Sequence, residues 1–281
     1  MHRAEKTIKS YLDSAEQMVD YLEGHGMPTE ADHVRREHVE AYLVALHEAG
    51  RSPSTVATRF RALQQFWKWA VDEGEVARSP MERMKPPTIP ETPVAVLSDD
   101  DVRRLLETCK SKTFEDRRDT AIIRLLHDTG MRRGEIAGLQ VQDIDWDGHQ
   151  AFVTGKGNRP RPCPFGAKAE QALDRYLRER AKHPDAQVED ALWLGVRGQM
   201  TDSGIAQVVR RRGIEAGLGP LHPHQFRHTF AHQFRMDGGN DTDLMALGGW
   251  RSPQMLTRYG RSAAAERARE AHRRHSPGDR I

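Results

Sequence analysis

Two cysteines in 281 residues, Cys109 and Cys163, are too few and too far apart for a disulfide framework, and they fit a reducing compartment. No apolar run approaches the roughly 20 residues needed to span a bilayer. The opening residues, MHRAEKTIKS, are charged from the start and hold no apolar stretch of the kind a secretory leader requires. No internal repeat and no low-complexity block interrupts the chain. Net charge is small as well, +2 at pH 7. These absences argue against a secreted disulfide scaffold, a membrane protein and a repeat array. They predict a cytoplasmic protein.

What is present suffices for a folded core. Hydrophobic residues make up 37% and charged residues 30%, and the length allows one large domain or two ordinary ones. The charge is unevenly spread: residues 201–281 hold 13 arginines and no lysine against 8 acids. A basic second half permits a polyanion partner but does not by itself demand one.

The first 85 residues read as helices. "TIKSYLDSAEQMVDYL" places Ile8, Leu12, Ala15, Val19 and Leu22 at helical spacing, and "RREHVEAYLVALHEAG" repeats the pattern up to Gly50. "SPSTVATRFRALQQFWKWAVDEG" opens with Ser52 as N-cap and Pro53 at the first helical position, and buries a line through Val56, Phe60, Leu63, Trp67 and Ala70. Five prolines between 80 and 93 then rule out a continuous helix, so an extended linker is expected over about 79–94. The expected division is an all-α domain at 1–88 and a second domain at 95–281.

The second domain starts at "LSDDDVRRLLETC", where Ser98 and Asp101 form an acidic variant of a capping box. "FEDRRDTAIIRLLHDTG" is an amphipathic helix ending at Gly130, and another helix begins almost at once. "VQDIDWDGHQAFVTGKGNRPRPCPF" alternates around an Asp147-Gly148 turn and a Gly-Lys-Gly-Asn turn, which predicts a small antiparallel sheet. Helices are expected at about 167–182, 202–215, 224–236, 241–247 and 252–259. The fold class is therefore mainly α with a small antiparallel β-sheet, an α+β domain behind an all-α one.

Single residues carry weak signals. In "DTGMRRGEIAGL", Arg132 stands at a helix start, where the macrodipole disfavours a cation unless something anionic compensates. Glu135 three residues on would make it an ordinary surface pair. Lys156 sits on a glycine-flanked turn that can approach another molecule closely. "LHPHQFRHTFAHQF" starts a helix at Pro223, with Phe226, Phe230 and Phe234 as its buried stripe and His224 and Arg227 three apart. His228 and His232 have zinc-like i, i+4 spacing, yet the central Glu of H-E-x-x-H is missing and no cysteine lies near. They read better as structural or surface groups.

Taken in order, these residues resemble the tyrosine recombinase (phage integrase) family, of the two-domain Xer-like type. "TGMRRGEIAGL" is similar to that family's first arginine motif and "GKGN" to its β-hairpin lysine turn. "HPHQFRHTFA" is similar to its H-x-x-R box, and "LGGWRSPQMLTRYG" to the box that ends in the nucleophilic tyrosine nine residues after a His or Trp. The helical first domain and the linker fit too, so the resemblance spans nearly the whole chain. Trp250 stands where many members carry a second histidine.

The resemblance implies a site-specific recombinase that cleaves and rejoins double-stranded DNA. Tyr259 would attack phosphorus, form a 3′-phosphotyrosyl link and release a 5′-hydroxyl. A second strand's 5′-hydroxyl would then reverse the link without ATP. Arg132 and Arg227 would clamp the non-bridging oxygens, where a well-placed donor contributes about 3–4 kcal/mol. Trp250 would add an N–H donor, and Lys156 would protonate the leaving oxygen. His224 would take the tyrosine proton or orient the phosphate, and Glu135 would orient Arg132. No metal or other cofactor is expected. Four protomers would assemble on two sites, with accessory DNA-bending or directionality proteins in some systems, serving integration or excision of mobile elements or the resolution of DNA molecules. A type IB topoisomerase-like enzyme shares this chemistry, although the compact helical first domain favours a recombinase. A non-cleaving DNA-binding protein and a zinc hydrolase fit the same residues less well.

Overall fold

The computed structural model describes residues 5–90, 95–155, 159–196, 198–254 and 256, with a few positions of the C-terminal tail. The chain divides into two compact units, Met1–Thr92 and Pro93–Ile281. Among the described residues no helix is long and apolar enough to cross a membrane.

The first unit is all helical: α1 (Glu5–Gly24), α2 (Arg36–Glu48) and α3 (Pro53–Asp72). Ser52 caps α3 by accepting the Thr55 N–H, with Pro53 in its first turn. The expected line Val56, Phe60, Leu63, Trp67 and Ala70 is buried, against Met18, Leu22, Val39 and Tyr42. The line expected for α1 is corrected. Ile8, Leu12 and Val19 are exposed, and the buried residues are Ser14, Ala15, Met18 and Leu22. The helix is rotated so that Ser14 can accept from Arg59 at 2.9 Å while donating to the Ser10 carbonyl. Ile8 and Leu12 instead join Phe66 and Trp69 around an open groove.

The second unit holds α4 (Asp99–Glu107), α5 (Phe114–Thr129), α6 (Arg133–Ala137), α7 (Ala167–Arg180), α8 (Asp202–Glu215), α9 (Pro223–Met236) and α10 (Asp241–Gly248). Ser98 and Asp101 form the capping box of α4. An antiparallel sheet runs in the order β1 (Ile144–Asp145), β2 (Gln150–Gly155), β3 (Arg159–Pro164). Pro160, Pro162 and Pro164 fall at alternate positions of edge strand β3, where a missing N–H is tolerated. The fold is thus mainly helical with small antiparallel sheets. A second hairpin, β4 (Leu194–Gly195) with β5 (Gly198–Gln199), went unanticipated because two-residue strands leave no alternating run to read.

Helix α5 is the central post. Ile122, Ile123, Leu125 and Leu126 are completely buried, packed with Leu173 and Tyr176 of α7, Val209 of α8, Phe226 of α9 and Ala151 and Val153 of β2. Asp119, also fully buried, binds Arg118 through one oxygen and Arg211 and Arg212 through the other, tying α5 to α8. A separate small cluster of Ala231, Leu244, Trp250 and Leu256 holds the last elements, with Phe230 and Phe234 packed beside it. Of the expected stripe on α9, Phe226 is fully buried, while Phe230 and Phe234 are half-buried. Arg227, His228, His232 and Arg235 take much of the buried surface instead. Helix α9 lies between two clusters and so has no single apolar face.

Candidate active site

Arg132 is the N-cap of α6. Glu135, three residues on, accepts the Arg132 backbone N–H on Oε2 at 2.8 Å and the Arg132 side chain on Oε1 at 2.7 Å. One carboxylate therefore caps the helix and fixes the arginine. The surface pair that the sequence allowed is real, but it is not the whole of the arrangement. Arg132 Nη2 also reaches across the fold to the Gly249 carbonyl at 2.8 Å. Its side chain stays 40% exposed while that of Glu135 is almost buried.

Helix α9 begins at Pro223, with the His222 N–H donating to Gln225. This puts His224 in the exposed first turn and Arg227 on the next, with only 2% of its surface open. Arg227 donates to the Gly130 carbonyl at 2.8 Å and to the Gly248 carbonyl at 2.6 Å. Its guanidinium carbon lies 3.9 Å from the centroid of the Trp250 ring. The His224 ring stands edge-on to buried His228, centroids 4.5 Å apart.

A third arginine completes the cluster, and sequence reasoning missed it. Arg161 of β3 donates to the Leu247 carbonyl at 2.6 Å and to Glu135 Oε2 at 2.7 Å. Three consecutive carbonyls at the end of α10, those of 247, 248 and 249, thus each accept from a different arginine. A helix C-terminus carries partial negative charge and unpaired carbonyls, so it is a natural anchor for cations. The signal for Arg161 was in the alternation of β3. Cys163 and Phe165, two and four residues on, are buried, so Arg161 faces the same way.

The pair of glycines before Trp250 follows from this crowding. A Cβ on Gly248 would overlap the Trp250 ring. Gly249 has φ +63, and a Cβ there would come within 2.7 Å of Arg161 Nε. Beneath the cluster, burial pushes the Cys163 thiol up to about 11, with Arg161 pulling the other way. The thiol is neutral at physiological pH.

The structure therefore brings together Arg132, Glu135, Arg227 and Trp250, and places His224 at the start of the helix that carries Arg227. Lys156 and Tyr259 lie outside the described residues. So does half of the expected helix at 252–259, of which Pro253, Gln254 and Leu256 are helical and Leu256 is fully buried. Among the described residues, no group of three or more His, Cys, Asp or Glu is placed to hold a metal ion. Three arginines against one carboxylate give a strongly positive cluster. Arg132 still has donors facing solvent, an arrangement suited to a tetrahedral oxyanion.

The phage integrase family model matches residues 95–266, and the model of the phage integrase N-terminal SAM-like domain matches residues 2–74. The chain belongs to the phage integrase family. This recombinase is 33% identical over 243 residues to tyrosine recombinase XerC of Corynebacterium efficiens, covering 84% of this chain and 77% of that protein. It is 31% identical over 280 residues to tyrosine recombinase XerC of Corynebacterium glutamicum, covering 97% and 87%. Among solved structures, a crystal structure of XerA recombinase aligns with 98% of this chain and 93% of its own, at 26% identity and a TM-score of 0.57. The XerH site-specific recombinase bound to palindromic difH substrate aligns at a TM-score of 0.76 over 94% and 79%; at 18% identity it speaks to the fold alone. The enzyme is a tyrosine-type site-specific recombinase, a DNA strand transferase.

Proposed function

We propose that this recombinase cleaves double-stranded DNA through a 3′-phosphotyrosyl intermediate on Tyr259 and rejoins it to a second strand. The observation that carries the reading is the convergence of Arg132 and Arg227 on adjacent carbonyls, those of Gly249 and Gly248, directly before Trp250. Two arginines from distant parts of the chain are thereby held beside the segment that leads to Tyr259.

Their roles differ. Arg132, open on one side, offers planar donors to a non-bridging phosphate oxygen. Arg227, buried and stacked on Trp250, acts from beneath, where weak screening makes its charge count for more. The Trp250 ring face supports Arg227, so packing joins N–H donation as its task. Lys156 serves as the general acid for the leaving 5′-oxygen. His224 accepts the tyrosine proton or orients the phosphate, and Glu135 orients Arg132. Residues 1–88 form a core-type DNA-binding domain, joined by the linker at about 79–94 to the catalytic domain at 95–281. Four protomers act on two paired sites in the cytoplasm. The biological role is integration or excision of a mobile element or resolution of DNA molecules.

The test is a pool of nicked, partly randomised duplexes, in which a short fragment diffuses away after cleavage and traps the covalent enzyme. Wild type is expected to give a denaturation-resistant protein–DNA adduct. Tyr259→Phe is expected to bind the same DNA and give none. An adduct formed by Tyr259→Phe overturns the assignment of the nucleophile.

A further inference from the structure

Arg161 has no part in the chemistry proposed above, yet from β3 it touches both α6 and the end of α10, which build the site. Its Nη2 donates to Glu135 Oε2, the oxygen that also accepts the Arg132 backbone N–H. Its Nη1 donates to the Leu247 carbonyl and to Cys163 Sγ, each at 2.6 Å. Its Nε is buried without a partner, close against Gly249. The side chain is 12% exposed, and its bonded donors point at protein. A phosphate is therefore not its partner.

We infer that Arg161 is a positioning residue for strand cleavage: it returns to the site the positive charge that Glu135 removes, and it locks the end of α10 to Glu135. This rests on the cleavage function proposed above. Arg132 and Glu135 alone form a neutral pair, a poor attractant for a phosphodiester. Adding Arg161 makes the Arg132–Glu135–Arg161 group net positive, and Arg227 adds a second charge. Sharing also matters. With Oε2 occupied by Arg161 and by a backbone N–H, Glu135 holds the Arg132 side chain through Oε1 alone. Arg132 thus keeps donors for a ligand. A planar fork is needed to span Leu247 and Glu135 together, which one ammonium does less well.

Three variants test this on the nicked duplex that traps wild type, with adduct rate, DNA affinity and thermal melting measured side by side. Arg161→Gln is expected to form adduct about 100-fold more slowly, the scale of losing one preorganised electrostatic group. Its DNA affinity should hold within about threefold, since one charge among many changes. Arg161→Lys, which keeps the charge, is expected within about tenfold of wild type. Removing Glu135's charge as well, in Glu135→Gln/Arg161→Gln, is expected to recover about tenfold over Arg161→Gln, a non-additive coupling between contacting residues. A purely structural arginine gives a different pattern: the double variant is no faster than Arg161→Gln, and that result overturns the inference. Wild-type rates in Arg161→Gln overturn it too. Where Arg161→Gln does not fold, Arg161→Lys decides: a 100-fold loss with wild-type melting means that the charge is not what matters. Wild type gives adduct and Tyr259→Phe none in the same gels, so any loss in the Arg161 variants is separate from failure of the nucleophile assignment.

Discussion

The Arg227 guanidinium lies over the Trp250 ring, its central carbon 3.9 Å from the ring centroid, and both residues are almost fully buried. A desolvated cation–π contact of this kind is worth about 2 kcal/mol. Trp250 also anchors the small cluster with Ala231, Leu244 and Leu256. Trp250→Ala is therefore expected to lose about 3–5 kcal/mol of stability, the usual range for truncating a buried aromatic. Trp250→His keeps a ring over Arg227 and is expected to retain part of the activity. Urea unfolding paired with adduct formation checks both, and complete inactivity of a stably folded Trp250→His would contradict the support role.

Arg132 and Arg227 are expected to fail in different ways. Arg227→Ala leaves the Gly130 and Gly248 carbonyls without their donor in a buried setting, at about 1–3 kcal/mol each. It should lower both melting temperature and activity. Arg132→Ala gives up a half-exposed side chain and should keep most of its stability while adduct formation falls about 100-fold or more. Equal destabilisation by the two substitutions would contradict the difference in burial.

The Cys163 thiol gives a pH dependence. Burial pushes it up to about 11 from the ordinary 9.0, so the folded chain holds this proton more tightly than the unfolded one. The resulting stabilisation is complete below about pH 9 and is lost as pH rises toward 11. Tyr176, raised by burial to about 12, acts in the same direction but higher, so a comparison with Cys163→Ala isolates the thiol. Between about pH 8 and about pH 10.5, wild type is expected to lose about 2 kcal/mol more than Cys163→Ala in urea unfolding. Equal losses would mean that the thiol titrates normally.

Asp119 supports a more severe prediction. Its two oxygens serve three arginines, and Arg118 and Arg212 are themselves buried. Asp119→Asn leaves that positive charge under-compensated and is expected to cost about 3–5 kcal/mol. A loss under about 1 kcal/mol on denaturant unfolding would show that the network is wetter than its burial implies.

Much of this could be read in the chain beforehand, for identifiable reasons. Capping signals at Ser52 and Ser98 act within three residues and need no tertiary partner, so they read correctly. The inner line of α3 was legible because that helix has one dominant apolar stripe. Helix α1 offers two, and only its partners decide that Met18 goes in and Ile8 stays out. Arg132, Glu135 and Arg227 were legible as types in order, but not the three carbonyls of 247–249 that gather the arginines, since backbone atoms leave no trace in composition. Arg161 was obscured by the prolines on either side of it, although the alternation toward Cys163 and Phe165 pointed inward.

The most direct test locates the covalent bond itself. Wild-type enzyme is trapped on its nicked duplex, the DNA is trimmed with nuclease, and the protein is digested with trypsin. Cleavage after Arg258 and Arg261 releases the tripeptide Tyr259-Gly260-Arg261. The account predicts that this peptide carries the nucleotide mass, through phosphate on the tyrosine oxygen. A nucleotide found on any peptide lacking Tyr259 would contradict it.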